Sequence, residues 1–397
     1  MNEQQPWITW EESGEQHRAR WRSESQAMPA TLLPVDDTLT ANSAFKLVSE
    51  GTGLLWRGDF HNGRQLLQAL VRRVDKPPRA HTPRKDAQPP APASADAAAL
   101  ARDALARDAF ARHRASQARR AALLGRVLLQ FEPDRTIALR RAPDVRAAVD
   151  EAWGPPDGAP AIASLRELQG FVGAHEWRKK GVDVPALHDR IHPHFGVFSP
   201  LRGEYLGLIA QAPLPSGAQA LAFDIGTGTG VIAALLARRG LQQVVATDLD
   251  PRAIACATEN LARLGVAKQV RVVQADMFPD GRAPLVVCNP PWVPTTPNAA
   301  IERAVYDPDS AMLRAFLAGL AAHLAPGGEG WLVMSDLAEH LGLRTRDEML
   351  AWIAEAGLRV VARHDTRPTH PKAGDPSDPL FAARSKEVTS LWRLGAA

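Results

Sequence analysis

The run Asn289-Pro290-Pro291-Trp292 brings together residue types that can handle a planar amino nitrogen. An amide or exocyclic NH2 is a poor nucleophile because its lone pair is delocalised. Acceptors placed on both of its N–H groups favour the pyramidal, reactive nitrogen and stabilise the positive charge that builds on it during attack. The side-chain oxygen of Asn289 and the carbonyl of Pro290 are such a pair. The proline pair sets the carbonyl direction in advance, and the Trp292 ring offers a face for a flat group. Earlier in the chain, ALAFDIGTGTG is an apolar strand that ends in Asp224 and breaks into a turn of Gly226, Thr227, Gly228 and Gly230. Glycines there let the backbone approach a bulky ligand. Asp248, followed by Leu249, ends a second strand (VVATD), and Asp276, followed by Met277, ends a third (VVQAD). Acids at those strand ends are placed to accept from ribose hydroxyls and from a base amino group.

The elements that must hold these residues can be read from hydrophobic period and punctuation. Strands are expected at 220–224, 243–248, 269–275, 285–288, 330–335, 358–364 and 389–394, and helices at 202–211, 230–239, 251–264, 310–325 and 346–356. Gly240, Gly265 and Gly357 stand at helix C-caps, and Asp250 caps a helix with Pro251 in its first turn. Strand–helix alternation with short turns makes a parallel, doubly wound α/β sheet, which binds ligands at the carboxyl ends of its strands.

The glycine spacing is GxGxG. A dinucleotide dehydrogenase would need glycine at position 231, where this chain has Val231. The turn instead resembles the loop that wraps the methionine part of S-adenosylmethionine, and NPPWVPT resembles the (N/D)PP(aromatic) signature of class I S-adenosylmethionine methyltransferases. These include release-factor glutamine methyltransferases and the "small domain" nucleic-acid amino-methyltransferases. The resemblance covers roughly residues 191–397. It implies a seven-stranded Rossmann-like sheet whose last strand, after a long loop, inserts antiparallel, and S-adenosylmethionine as cofactor, held by Phe198, Asp224, Gly226, Thr227, Gly228, Gly230, Asp248, Leu249, Asp276, Met277 and Asn289. Asp224 would face the ligand ammonium, directly or through water. Asn289 to Trp292 would be catalytic. Trp292 replaces the tyrosine typical of the glutamine branch, giving more stacking area and no hydroxyl. The expected substrate is a protein glutamine side chain. A nucleobase amino group in RNA or DNA is the alternative, and a non-catalytic binding protein of the same fold is the alternative of another class.

Ahead of this region the sequence predicts a mostly helical accessory part. Residues 1–75 show no period before a short helix capped by Asn42 or Ser43 and an amphipathic helix from Asn62 to Val74. Gly51-Thr-Gly53 reads as a turn. Residues 76–95 are Pro/Ala-rich and read as a linker. An alanine-rich helix is expected from Asp96 to about Gln130, and a capping box at Ser164 and Glu167 opens another, within a helical domain over 96–190. The net charge of +3 is uninformative, but residues 111–146 carry nine arginines against Glu132, Asp134 and Asp144. That segment is a candidate nucleic-acid contact, and a solvated helix face explains it equally well.

No metal is expected. His192 and His194 lack a third ligand, His175-Glu176 lacks the second histidine of a metalloprotease helix, and Cys256 and Cys288 sit in apolar contexts as free thiols. No run is apolar and long enough to span a bilayer, and no secretion signal opens the chain. The expectation is a cytoplasmic monomer acting on a protein or RNA. The polar stretch 366–386 is a candidate substrate lid.

Overall fold

The computed structural model describes residues 6–76, 95–199, 203–297, 300–369 and 374–397. Most of the expected linker, and part of the 366–386 stretch, lie outside those residues. The chain divides into two compact units, Met1–Pro92 with Arg112–Glu176, and Ala93–Ala111 with Trp177–Ala397.

The first unit corrects the expectation of a mostly helical accessory region. It is built on a six-stranded sheet of β1 (Trp7–Glu12), β2 (Glu15–Trp21), β3 (Leu32–Val35), β4 (Gly53–Trp56), β5 (Val127–Phe131) and β6 (Ala161–Ser164) in the order β1-β2-β6-β5-β4-β3. Its helices are α1 (Ala41–Ser49), α2 (Phe60–Val74), part of α3 (Ala95–Leu124), α4 (Arg146–Trp153) and most of α5 (Leu165–Lys180). The strands escaped notice for a physical reason. In β1 and β2 only Ile8, Trp10, Ala19 and Trp21 turn inward, while Trp7 lies outside under the guanidinium groups of Arg18 and Arg20. So little apolar alternation hides in a polar background. Gly53, expected in a turn, begins β4, where a Cβ would fall 2.7 Å from Pro29. The alanine-rich helix stops at Leu124, and its apolar continuation Val127–Phe131 is a buried strand.

Thr40 rather than Asn42 or Ser43 caps α1, and Asp59 caps α2. The Ser164–Glu167 box forms as expected, with Ser164 Oγ accepting from Glu167 N at 3.0 Å. In the arginine-rich segment, Arg120 pairs with Asp75, Arg141 with Asp59 and Arg146 with Asp144. Arg126 donates to the Gly51 carbonyl, and Arg135 is fully buried. Much of that charge therefore serves the unit's own structure.

Besides the first part of α3 and the end of α5, the second unit has a hairpin of β7 (Val182–Val184) and β8 (Asp189–Ile191), followed by α6 (Glu204–Gln211). It then alternates β9 (Ala222–Ile225), α7 (Val231–Arg238), β10 (Val244–Asp248), α8 (Pro251–Arg263), β11 (Val270–Gln274) and β12 (Ala283–Cys288). There follow α9 (Ala311–His323), β13 (Leu324–Ser335), α10 (Leu337–His340), α11 (Arg346–Glu355), β14 (Leu358–Thr366), α12 (Phe381–Arg384) and β15 (Thr389–Ala396). The seven strands run β11-β10-β9-β12-β13-β15-β14, with β15 antiparallel to both neighbours as expected. Alternate residues of β9 and β12 feed two cores. Ala222, Leu285 and Val287 pack with α6, α7 and α8, and Phe223, Ile225, Val286 and Cys288 pack with α9 and α11. Burial on both faces explains why these central strands are continuous apolar runs.

The three turn glycines have different tasks. A Cβ on Gly226 would lie 2.8 Å from the Met312 methyl, one on Gly228 would meet open space, and one on Gly230 would press on Ala257 of α8 at 3.2 Å. All three have positive φ. Gly230→Ala therefore adds a left-handed strain and a clash where α7 meets α8. Urea unfolding should show a loss of about 1–3 kcal/mol; an unchanged midpoint would contradict this packing.

Candidate cofactor and methyl-acceptor site

The site is built by strand register. Ile225 of β9 is paired in parallel with Cys288 of β12 on one side and with Thr247 of β10 on the other. Asp248 of β10 pairs in turn with Gln274 of β11. Asp276, Asp248, the glycine turn and Asn289 consequently follow the carboxyl ends of four adjacent strands, β11, β10, β9 and β12. Neighbouring strands lie about 4.8 Å apart, so Asn289 and Gly226 leave the sheet side by side. The chain order reverses between β9 and β12, the topological switch point at which such sheets bind ligands.

Each acid has its own environment. Asp224 is fully buried, and its Oδ2 accepts from Thr227 Oγ1 at 2.6 Å and Ala233 N at 3.0 Å. It thus ties the glycine turn to the first turn of α7. Its Oδ1 is buried with no hydrogen-bond partner. Burial, with the Asp248 charge as a smaller contribution, pushes the carboxyl up to about 7. Asp248 accepts from Gly228 N at 2.9 Å and from Asp250 N at 3.0 Å, keeping acceptor capacity in reserve. Burial raises its pKa as well. Asp250 caps α8 through Arg252 N, as expected. Leu249 is 63% exposed and Asp276 is exposed. Met277 adopts φ +68°, and its carbonyl accepts from Thr247 Oγ1 at 2.6 Å.

The Asn289–Trp292 segment is largely withdrawn from solvent. Pro290 is buried, and Asn289, Pro291 and Trp292 are half-buried. The indole N–H of Trp292 donates to Asn289 Oδ1 at 2.9 Å, and its ring packs against both cores. Thr227 turns its hydroxyl inward to Asp224 rather than toward the crevice. Phe198 is half-buried in the loop before α6, with residues 200–202 outside the described region.

Sequence reasoning missed three contributors. Met312, in the first turn of α9, lies against Gly226. Asp307 accepts from the backbone of Met312 and Leu313 and donates its own N–H to Val293 O at 2.9 Å, so the chain beyond NPPW is tied back to α9. Tyr205 of α6 is buried beside Asn289 and Asp224, and burial drives its pKa far up. No local spacing signals any of the three, because packing between distant elements delivers them. The histidines took structural roles, with His194 on Glu259 at 2.8 Å and His192 on the Arg178 carbonyl at 2.6 Å. Both cysteines are free and buried. Among the described residues no cluster of three or more metal-ligating side chains occurs, and no helix is long and apolar enough to cross a membrane.

A glycine turn at the switch point, acids at the next two strand ends and NPPW at the fourth define a class I methyltransferase. Residues 190–349 match the family model described as "Methyltransferase small domain". A release factor glutamine methyltransferase from Deinococcus radiodurans is 33% identical over 238 residues, 56% of this chain and 77% of that protein. One from Cereibacter sphaeroides is 40% identical over 142 residues, 32% of this chain and 50% of that protein. A ribosomal RNA small subunit methyltransferase C from Alcanivorax borkumensis is 36% identical over 143 residues, 35% of this chain and 40% of that protein. The chain belongs to the small-domain methyltransferase family that includes the release factor glutamine enzymes. It spans about half the length of the Cereibacter relative.

The family's cofactor is S-adenosylmethionine, and the residues fit it. Gly228 faces open space, Asp224 Oδ1 is an orphaned buried acceptor, and Asp248 has lone pairs to spare. The Asp224 pKa also has a stability consequence. Because the folded value lies above the unfolded value near 4, its contribution is fully present below about pH 4 and lost as pH rises through about 7. Melting temperatures of the cofactor-free protein from pH 4.5 to 8 should therefore move in favour of Asp224→Asn, relative to the parent, as pH rises. A pH-independent difference would contradict a buried acid at that place.

Proposed function

We propose that this chain transfers a methyl group from S-adenosylmethionine to the side-chain nitrogen of a glutamine in a bacterial release factor. The observation that carries this reading is the adjacency of Asn289 to the glycine turn, set by the Cys288–Ile225 register. The relatives named as release factor glutamine methyltransferases supply the substrate.

When bound, the cofactor supplies an electrophilic methyl group on a sulfonium. The chain's own residues do the rest. The glycine turn admits the ligand backbone-close, Asp248 and Asp276 are the acceptors for ribose and adenine, and Leu249 and Met277 offer apolar contact to the base. Asp224 acts from below by bracing the turn through Thr227 and Ala233. Asn289 Oδ1 and the Pro290 carbonyl accept from the substrate N–H groups and stabilise positive charge on the nitrogen. Positioning of the nitrogen against the methyl group supplies much of the remaining acceleration.

A second reading, a nucleobase amino group in ribosomal RNA, draws on the Alcanivorax relative and on the larger ring that Trp292 offers for stacking. Radiolabelled cofactor with purified release factor in one reaction and ribosomal RNA in another separates the two. Label in the release factor that resists RNase and yields to protease is expected; label in RNA alone would favour the second reading. Asn289→Ala should lower transfer by about 100-fold or more while cofactor affinity stays near that of the parent. A near-parental rate would remove Asn289 from the chemistry.

A further inference from the structure

We propose that Trp292 is a positioning residue that fixes which way round the Asn289 amide sits. This inference rests on the methyl-transfer reading. The two ends of an asparagine amide have nearly the same shape but opposite hydrogen-bonding character. Methyl transfer to nitrogen needs the oxygen, not the NH2, turned to the substrate. Indole N–H is a donor with no acceptor capacity, and it lies 2.9 Å from Asn289 Oδ1. Rotating the amide by a half-turn would set NH2 against N–H, losing that bond and opposing two donors. The Tyr205 hydroxyl, beside the Asn289 side chain, can accept at the NH2 end. One oxygen lone pair is thus taken by the indole, and the second stays available for a substrate N–H.

The surroundings make Trp292 suited to this task. Its ring is held between the two cores of the sheet and also touches the cluster of Val293, Leu337 and Leu380, so it is a fixed brace. The tyrosine typical of the glutamine branch carries a hydroxyl that both donates and accepts. It therefore cannot select one amide orientation as a pure donor does. Tryptophan brings a one-way donor within 2.9 Å of Asn289 Oδ1.

Trp292→Phe keeps an aromatic ring and removes the donor together with part of the indole's packing surface. With release factor as substrate, kcat should fall by roughly tenfold or more, while KM and the cofactor Kd stay within about threefold. An unchanged kcat, or a rise in KM alone as a pure stacking role would give, overturns the proposal. The bond itself is read without turnover in 1H–15N spectra of the tryptophan indoles. The Trp292 signal, assigned by its loss in Trp292→Phe (or in Trp292→Tyr should the first variant not fold), should move in Asn289→Ala toward the position of an unbonded indole. A signal that does not move overturns the proposal even in an active enzyme. A parent protein that methylates no release factor, yet shows the shift, removes the substrate reading and leaves the indole–amide contact standing.

Discussion

Everything at this site depends on one constraint, the parallel pairing of β9 with β12 in a register that ends both strands together. The register brings Gly226 and Asn289 side by side, and the proposed reaction needs both there, one to hold the cofactor and one the substrate nitrogen. The pairing is secured from both faces, because alternate residues of each strand feed separate cores. A one-residue slip would exchange those two sets of side chains and carry Asn289 away from the turn.

Below that edge lies a buried polar layer that the apolar cores would not by themselves specify. Asp224 links turn to helix through Thr227 and Ala233, Thr247 reaches the Met277 carbonyl, and Asp307 closes the chain beyond NPPW onto α9. Buried groups of this kind are costly unless satisfied. Here nearly every one is satisfied by backbone within the same edge, which fixes the loops that line the crevice. Of these three side chains, Asp224 keeps an unmet acceptor, its Oδ1, under the turn. Burial, with the Asp248 charge as a smaller contribution, raises that carboxyl to about 7.

Much of the second unit was legible because its signals are local. Strand positions and the cap at Asp250 follow from period and punctuation, and the antiparallel last strand follows from the family resemblance. Strand-end acids and NPPW fell where such a sheet places ligands. Illegible were the groups that long-range packing delivers. Met312 reaches Gly226, and Tyr205 reaches Asn289, only once β12, α9 and α6 are assembled. The bond from the Trp292 N–H to Asn289 Oδ1 has no signal in the sequence. The first unit failed at a more basic level. Its strands are short, some polar but for two inward residues, and they pair across long sequence separations, as β5 does with β4 and β6. Propensity within a window cannot see such partners.

Crystals grown with S-adenosylhomocysteine test the central claim most directly. The account requires density for the ligand along Gly226 to Gly230, its ribose at Asp248, its adenine between Leu249 and Met277 near Asp276, and its sulfur facing Asn289. Ligand density elsewhere on the chain, or a crevice still closed by side chains when the ligand is saturating, would contradict it.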